Sequence, residues 1–592
     1  MTYRGPVESI LFALDVAGFP ALAPLFPNSD AETLRAVLEA ASTFAADVLA
    51  PLNRIGDREG ARFENGKVLS PPGFAKGYRH FIEGGWGALS AESAFGGQEL
   101  PKSVELAVFE MIHAANMAFG LCPMLTRGAI EALNAHGTAV QKSRYLPKLV
   151  SGAWSGTMNL TEAQAGSDLG ALRTRAEPDG TNYRITGSKI FITWGDHDMA
   201  DNIIHLVLAR LPDAPEASRG ISLFLVPKYL VAEDGSPGLQ NAVSATGIEH
   251  KLGIHGSPTC SMSFEGAKGE LIGAPHQGLA QMFTMMNAAR LQVGVEGVAI
   301  AERAFQTALA YALERRQGRS ALTGEHPAPI FDHPDIRRTL MLMKAKIEAA
   351  RAICLATAVA ADIGRMEGNE SAREAARLRE EFLTPIAKAW STDVGVEVAS
   401  MGLQVHGGAG FIEETGAAQI YRDARIGPIY EGTNGIQAID LMGRKLGLKG
   451  GAAVETLLGE VAHTAAELQV HSNEWLLMIG ERLEAAQRAA RDATAWMIER
   501  RGHAQPDALS GASAYLQLMG DLIGGFFLAK GAILASERAT EAHDDDFRFQ
   551  TRIGLARIFA DNVLARAPGI AAGVMAGAID LIRTSPEGLG SS

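Results

Sequence analysis

The sequence predicts a mainly α-helical protein with a β domain in its middle. Three observations carry that reading. Apolar residues recur at helical spacing from Asp30 to about Val150 and again from Gly278 onward. Between Thr157 and about Pro275 the pattern changes to the period-two alternation of half-buried strands. The 592 residues also exceed what a single hydrophobic core fills. The chain is therefore expected to divide into a helical domain at 1–156, a β domain at 157–275, a helical bundle at 276–446 and an additional helical domain at 447–592.

Each part has its own signals. In the first, AETLRAVLEAASTFAADVLAPL places Leu34, Val37, Leu38 and Ala41 on one stripe, and the spacing predicts a helix ending before Pro51. GWGALSAESAFGG reads as a loop, and helical spacing resumes at Ser103. In the second, NYRITGSKIFIT reads as a hairpin turning near Gly187 and Ser188, followed by strands in IIHLVLA and ISLFLV. Within TCSMSF, Cys260, Met262 and Phe264 are expected to face one way and Thr259, Ser261 and Ser263 the other. The third opens with Leu279, Met282, Phe283 and Met286 at helical spacing and persists to about Arg444. GLKGG, residues 447–451, reads as a hinge. The Ala-rich fourth part runs to about Ile582, with breaks at HAQPDALSG and EAHDDDF and a tail, SPEGLGSS, expected to fray.

Composition narrows the function. Acidic residues outnumber basic ones by 67 to 54, a net charge of −13, which argues against a nucleic-acid footprint. Cys122, Cys260 and Cys354 stand far apart, so neither a disulfide framework nor a CxxC metal site is expected, and a reducing compartment fits. The opening MTYRGPVESILFALDVAG is interrupted by Arg4, Glu8 and Asp15 and reads as neither a signal peptide nor a transit peptide, so a cytoplasmic location is expected. The apolar stretches from Leu522 to Ala529 and from Gly569 to Ile579 fall short of the roughly 18 residues of a membrane-spanning helix, so no transmembrane segment is expected.

Three constellations carry chemistry. MNLTEAQAGSDLGAL, residues 158–172, supplies small and hydroxyl-bearing residues, Thr161, Gly166 and Ser167 among them, that let a backbone approach a planar or phosphorylated ligand. By itself it also reads as a helix cap and turn. KIFITWGDHDMAD, residues 189–201, sets Phe191 and Thr193 two apart on a strand, where they could stack on and hydrogen-bond to a flat ring, or be buried without function. Asp196, His197 and Asp198 are adjacent in sequence and rarely converge on one ion in that arrangement, so no metal site is expected. The third constellation joins QVHGGAGF, residues 404–411, to YRDARIGPIYEGTNGIQ, residues 421–437, where Glu431 follows Ile429 and Tyr430. A carboxylate among apolar groups has its pKa raised by desolvation, as a base near neutral pH requires. A lone loop glutamate can also be merely solvated, as Glu414 is read here.

The three constellations, in this order and at these intervals, resemble the acyl-CoA dehydrogenase family from roughly Ala31 to Leu446. KLGIHGSPTCSMSFEG and YALERRQG are similar to two further blocks of that family. The resemblance implies an N-terminal helical domain, a middle β domain and a C-terminal helical bundle, with FAD held between the last two and across a homodimer interface. It places Met158, Leu160, Thr161, Gly166 and Ser167 beside the flavin, with Ser167 also facing substrate, and Phe191 and Thr193 on the strand that packs on the ring. Ala163 stands where the family has proline. Arg315, Gln317, Gln404, Gly407 and Gly408 are implied at the dinucleotide part of FAD, although the phenylalanine usual before Gly318 is missing. Thr433 and Asn434 are implied at its adenine-side phosphate. Arg290 is implied at the CoA moiety, with Asn287 in place of the usual aspartate, and Tyr430 and Gly432 beside substrate.

Glu431 is implied as the base that removes the α-proton of an acyl-CoA while hydride leaves the β-carbon for the flavin, giving trans-2-enoyl-CoA. The alternative base position of some members is Ala289 here. Electrons are expected to pass to an electron-transferring flavoprotein. An extension like 447–592 occurs in longer members, among them bacterial 3-methylmercaptopropionyl-CoA dehydrogenases, whose opening and ERRQGR stretch this chain also resembles. The substrate is accordingly expected to be a straight-chain fatty acyl-CoA or 3-methylmercaptopropionyl-CoA. An acyl-CoA oxidase, or a non-catalytic assembly protein that kept the fold, are the alternatives.

Overall fold

The computed structural model describes residues 3–26, 29–366, 368–542 and 547–590. Contacts divide the chain into two units: residues 1–6 with 25–292, and residues 7–24 with 293–592.

In the first unit, helices Lys102–Ala115 and Met117–His136 are buried along almost their whole length. The early helix runs further than expected. Ala31–Phe44 passes through one wide π-helical turn, Ala45–Leu49, into Ala50–Glu59, with Pro51 in the first turn of that last segment. The wide turn carries the helix past the proline, whose missing N–H falls where the hydrogen-bond register changes.

The unit's main sheet has seven strands: β1 (Trp154–Asn159), β2 (Arg175–Asp179), β3 (Asn182–Thr193), β4 (Asn202–Arg210), β5 (Ile221–Pro227), β6 (Val243–Ile248) and β7 (Thr259–Ile272). The order is β6-β7-β3-β2-β4-β1, and β5 pairs with both β7 and β4, so the path closes on itself. Cys260, Met262 and Phe264 point into the enclosed core with Ile185, Ile192, Val207 and Phe224, as their alternation predicts. The hairpin expected at Gly187 is absent. β3 is continuous, and the chain turns at Gly180 and Thr181, where Asp179 pairs with Asn182. Gly187 serves close packing instead, since a Cβ there would lie 2.5 Å from Thr174 Oγ1 and 2.9 Å from its Cα.

Beneath the loop after β1 lies a buried ion pair that sequence reading did not single out. Lys189 on β3 donates to the Leu160 carbonyl at 2.9 Å and to Glu162 at 2.8 Å. Glu162 also accepts from the Arg173 and Thr174 backbone N–H groups and from the Thr174 hydroxyl. Burial opposes the charge on Glu162, but the Lys189 ammonium and these donors outweigh it and hold the carboxyl down at about 2.

In the second unit, α1 (Val7–Val16) packs on α3 (Pro334–Arg365), α3 packs on α4 (Glu370–Val405) and α4 on α5 (Asn434–Gly443), while α2 (Gly278–Glu314) belongs to this unit from Val293 onward. α2 and α3 are tied by a buried cluster in which Glu302 and Glu348 each bond both Lys344 and Arg351 at 2.8–3.1 Å. The chain then breaks at Lys449, Gly450 and Gly451, all with positive φ, where a hinge was expected. Beyond it follow α6 (Ala452–Gln469), α7 (Glu474–His503), α8 (Gln505–Ala542) and α9 (Phe547–Asn562). The break expected across HAQPDALSG is confined to Ala504, because Gly511 sits inside α8 as a packing contact, its Cβ position 2.6 Å from the Val574 carbonyl. Residues 543–546 of the EAHDDDF break and the last two of the tail lie outside the described residues, and Pro586–Gly590 forms a helical turn.

Among the described residues one helix, Gln505–Thr540, is long and apolar enough to cross a membrane by length and composition alone. Of its apolar window 78% is buried inside the protein, and it packs against α3, α4 and α5. Trp390 on α4 donates to Asp521 on α8 at 2.9 Å, while Gly520 and Gly524 leave room for the indole.

Breaking the Glu162–Lys189 pair from one side should leave an unpaired buried charge and cost about 3–5 kcal/mol. E162Q and K189M are each expected to lower the thermal midpoint strongly, and E162Q/K189M by less than the sum of the two. The Glu162 carboxyl falls from an ordinary 4.5 to about 2, so its contribution is complete above 4.5 and is lost as pH falls toward 2. Unfolding of wild type and E162Q compared across that window measures it.

Candidate active site

The sequence-predicted residues of the first unit converge on one side of the junction between β1 and β3. The Ile190 N–H donates to the Thr161 carbonyl at 2.9 Å, and the Thr157 hydroxyl to the Thr193 carbonyl at 3.0 Å. Met158 and Leu160 lie just under this surface, and Gly166 and Ser167 are exposed on the loop. Simple alternation does not hold at the critical point. The pairing of β3 with β7 shifts between Lys189 and Ile192, and Phe191 within that bulge has φ +60. The bulge turns the ring outward, leaving it 59% exposed beside half-buried Thr193. A non-glycine residue in this conformation costs roughly 1–2 kcal/mol, and such costs gather at functional sites.

Asp196, His197 and Asp198 are committed in separate directions, to Lys228, Ser155 and the Ser70 N–H respectively. Burial drives His197 down to about 3. Arg290 is 5% exposed, lies over the Phe283 ring and donates to Asn287, so the asparagine takes the hydrogen-bonding place of the expected aspartate.

In the second unit, Tyr311 of α2 stacks on His406 at a centroid distance of 4.5 Å, which brings the end of α2 beside the glycine turn that follows α4. His406 Nδ1 donates to the Gly402 carbonyl at 2.7 Å. Gln404, Gly407 and Gly408 are exposed, Gly407 has φ +58, and a Cβ at either glycine would meet nothing within 4 Å. Exposed Arg315 donates to Gln317 and forms no ion pair among the described residues. An uncompensated guanidinium beside bare backbone suits a diphosphate, and an outward aromatic ring beside a threonine suits a flat heterocycle. Both donor sets fit FAD.

The loop that carries Glu431 is the most constrained part. Glu431 and Gly432 both have positive φ, +55 and +84. Two consecutive left-handed residues aim their carbonyls inward, where Gln437 Nε2 approaches both at 3.3–3.4 Å. Lys388, fully buried on α4, donates to the Gly432 carbonyl and to Asn434 Oδ1, each at 2.8 Å. Thr433 caps α5 by accepting the Ile436 N–H at 3.2 Å. Tyr430 donates its hydroxyl to buried Glu296.

Asn434 joins the loop to α4. Its amide nitrogen donates to the Ala389 carbonyl, Thr392 and Asp393, and its oxygen accepts from Lys388. That side chain ties the loop to α4. Lys388, Gln437, Glu296 and the Glu162–Lys189 pair were not among the sequence-predicted site residues. A lone lysine in TPIAKAWS and a lone glutamate in VGVEGVAIA, each in an apolar helical run, were the available signals.

Comparison with known proteins matches these features to one family. Its models cover the chain in four parts: the acyl-CoA dehydrogenase N-terminal domain at 31–153, middle domain at 157–267 and C-terminal domain at 276–446, then an acetyl-CoA dehydrogenase C-terminal-like domain at 457–585. The chain is 46% identical to the 3-methylmercaptopropionyl-CoA dehydrogenase of Ruegeria pomeroyi, over 95% of this chain and 96% of that one. It is 34% identical to the broad-specificity linear acyl-CoA dehydrogenase FadE5 of Mycobacterium tuberculosis, over 91% of each. Its fold is that of Caenorhabditis elegans ACDH-11, solved in complex with C11-CoA, with a TM-score of 0.78 and 22% identity over 95% of this chain and 92% of that one. With its three core domains and the further C-terminal one all matched, the chain belongs to the FAD-dependent acyl-CoA dehydrogenase family.

Proposed function

We propose that this enzyme converts an acyl-CoA to its trans-2-enoyl-CoA with Glu431 as the base, acting on 3-methylmercaptopropionyl-CoA or a straight-chain fatty acyl-CoA and passing electrons to an electron-transferring flavoprotein. The observation that carries the mechanism is the grip on the base loop. Lys388 and Gln437 fix the carbonyls around Glu431 in a left-handed turn, and the other position at which relatives place a base is occupied by Ala289. The identity to the Ruegeria enzyme over nearly the whole chain supports the thioether substrate, and the Mycobacterium relative supports linear acyl chains.

In this reading the α-proton of the thioester moves to the Glu431 carboxylate. The negative charge that develops on the thioester oxygen is met by the backbone N–H of Glu431, whose direction the fixed turn sets in advance. Bound FAD supplies the acceptor for the hydride that leaves the β-carbon. Thr161, Ser167, Phe191 and Thr193 would hold and cover the flavin ring and exclude water, Arg315, Gln317, Gln404, Gly407 and Gly408 its dinucleotide part, and Thr433 a phosphate at the start of α5. Arg290, Tyr430 and Gly432 would line the acyl-CoA. We place it in the cytoplasm and in β-oxidation, and a homodimer whose second subunit completes each cofactor site fits the exposed Arg315 and glycine turn.

E431Q should bind FAD and acyl-CoA yet lose flavin reduction by at least about 10²–10⁴-fold in single turnover, while E414Q, altering an exposed carboxyl in a surface turn, should leave the rate unchanged. Reduction of E431Q at the wild-type rate would remove Glu431 from the mechanism.

Sedimentation of the FAD-loaded enzyme should give a dimer, and R315A should lower the flavin content per chain. A monomer with full activity would contradict the shared site. Among acyl-CoAs offered with an artificial electron acceptor, 3-methylmercaptopropionyl-CoA and butyryl-CoA should turn over faster than long-chain or branched thioesters, and the reverse order would reject the substrate assignment.

A further inference from the structure

Glu296 lies on α2 at 1% exposure within the apolar run VGVEGVAIA. One of its carboxyl oxygens accepts the Tyr430 hydroxyl, and the other, Oε1, has no hydrogen-bond partner among the described residues. An ionised carboxylate in this setting would be a buried charge with half its acceptor capacity empty, which costs far more than carrying a proton. Two groups of the base loop face it, Tyr430 and the Glu431 carboxylate, and Lys388 approaches from α4. Neither the ion-pair network of α2 and α3 nor the proposed reaction uses this residue.

We propose that Glu296 is a positioning residue for the catalytic base, acting through the Tyr430 hydroxyl as a neutral carboxyl whose ionisation strengthens Glu431 as a base. The inference rests on the assignment of Glu431 made above. Tyr430 directly precedes Glu431, so anchoring its ring to α2 fixes one side of the base while Lys388 and Gln437 fix the other. Neutrality keeps Glu431 the one ionised carboxylate of the pair at neutral pH. Burial, with the Glu431 charge adding to it and the Tyr430 bond and Lys388 opposing, raises Glu296 to about 8. When Glu296 ionises, its charge raises the proton affinity of Glu431, and moving negative charge from Glu431 to the substrate then relieves a repulsion. The rate of proton removal should therefore rise as pH passes upward through about 8.

The FAD-loaded full-length enzyme tests this in three measurements. In single turnover, E296M and Y430F should each slow flavin reduction about tenfold or more, with flavin content unchanged, and the double variant should be no slower than either one. E296Q, which keeps a neutral hydrogen-bonding group, should retain more of the rate than E296M and lose the alkaline rise. The third measurement does not depend on turnover. Because the folded state holds a proton on Glu296 that the unfolded state releases above its ordinary 4.5, the stability of wild type relative to E296Q should fall as pH rises from 4.5 to about 8. Additive effects of E296M and Y430F, or a stability difference flat with pH, would overturn the role of Glu296. An E431Q enzyme that reduces its flavin at the wild-type rate would instead overturn the reading beneath it.

Discussion

A lysine buried beneath a functional loop is the device on which both units rely. Lys189 holds the Leu160 carbonyl and Glu162 under the loop that presents Thr161 and Ser167. Lys388 holds the Gly432 carbonyl and Asn434 under the loop that presents Glu431. In each case the ammonium gives up its hydration and recovers it from oxygens that belong to the loop itself. Desolvation makes such an ammonium intolerant of losing a partner, so the loop keeps one shape. Burial lowers Lys189 to about 8, with the Glu162 charge recovering only part of the loss. The arrangement thus exchanges some stability for definition of the loop.

That definition is needed because the residues presented sit in unfavourable backbone conformations. Phe191 and Glu431, at φ +60 and +55, are non-glycine residues in the left-handed region. Each would relax if its surroundings were soft. The bulge in β3 lies two residues from Lys189, and Gly432 follows Glu431 directly. At Phe191 the strain and the lysine that sustains it are therefore neighbours in the chain, whereas Glu431 is held by Lys388 from a distant helix.

The additional C-terminal helices join this logic through α8. Trp390 stands two residues from Lys388 on α4 and is bonded to Asp521 of α8, while α8 also packs on α5, the helix that Thr433 caps. The helices after the hinge therefore buttress the elements from which the base loop is hung. Burial raises Asp521 to about 6, with the Trp390 N–H opposing that rise.

The sequence by itself determined the fold class and the family, because these follow from local periodicity and from motifs whose spacing survives without knowledge of contacts. The alternation of TCSMSF, the helical stripe from Gly278 and the chain from Tyr430 to Thr433 were legible for that reason. Tertiary structure decided what depends on which distant residue arrives beside which. Gly187 read as a turn residue until Thr174 was seen against it, and Gly511 as a breaker until Val574 was. Phe191 faces outward because of a bulge set by the register with β7, not by simple alternation. Asn434 found four partners on α4, and Lys388, Glu162 and Glu296 found theirs only through burial. A pattern of residue types records which side chains are apolar, but not where a buried charge finds its counterpart, since that is settled by contacts between segments tens to hundreds of residues apart.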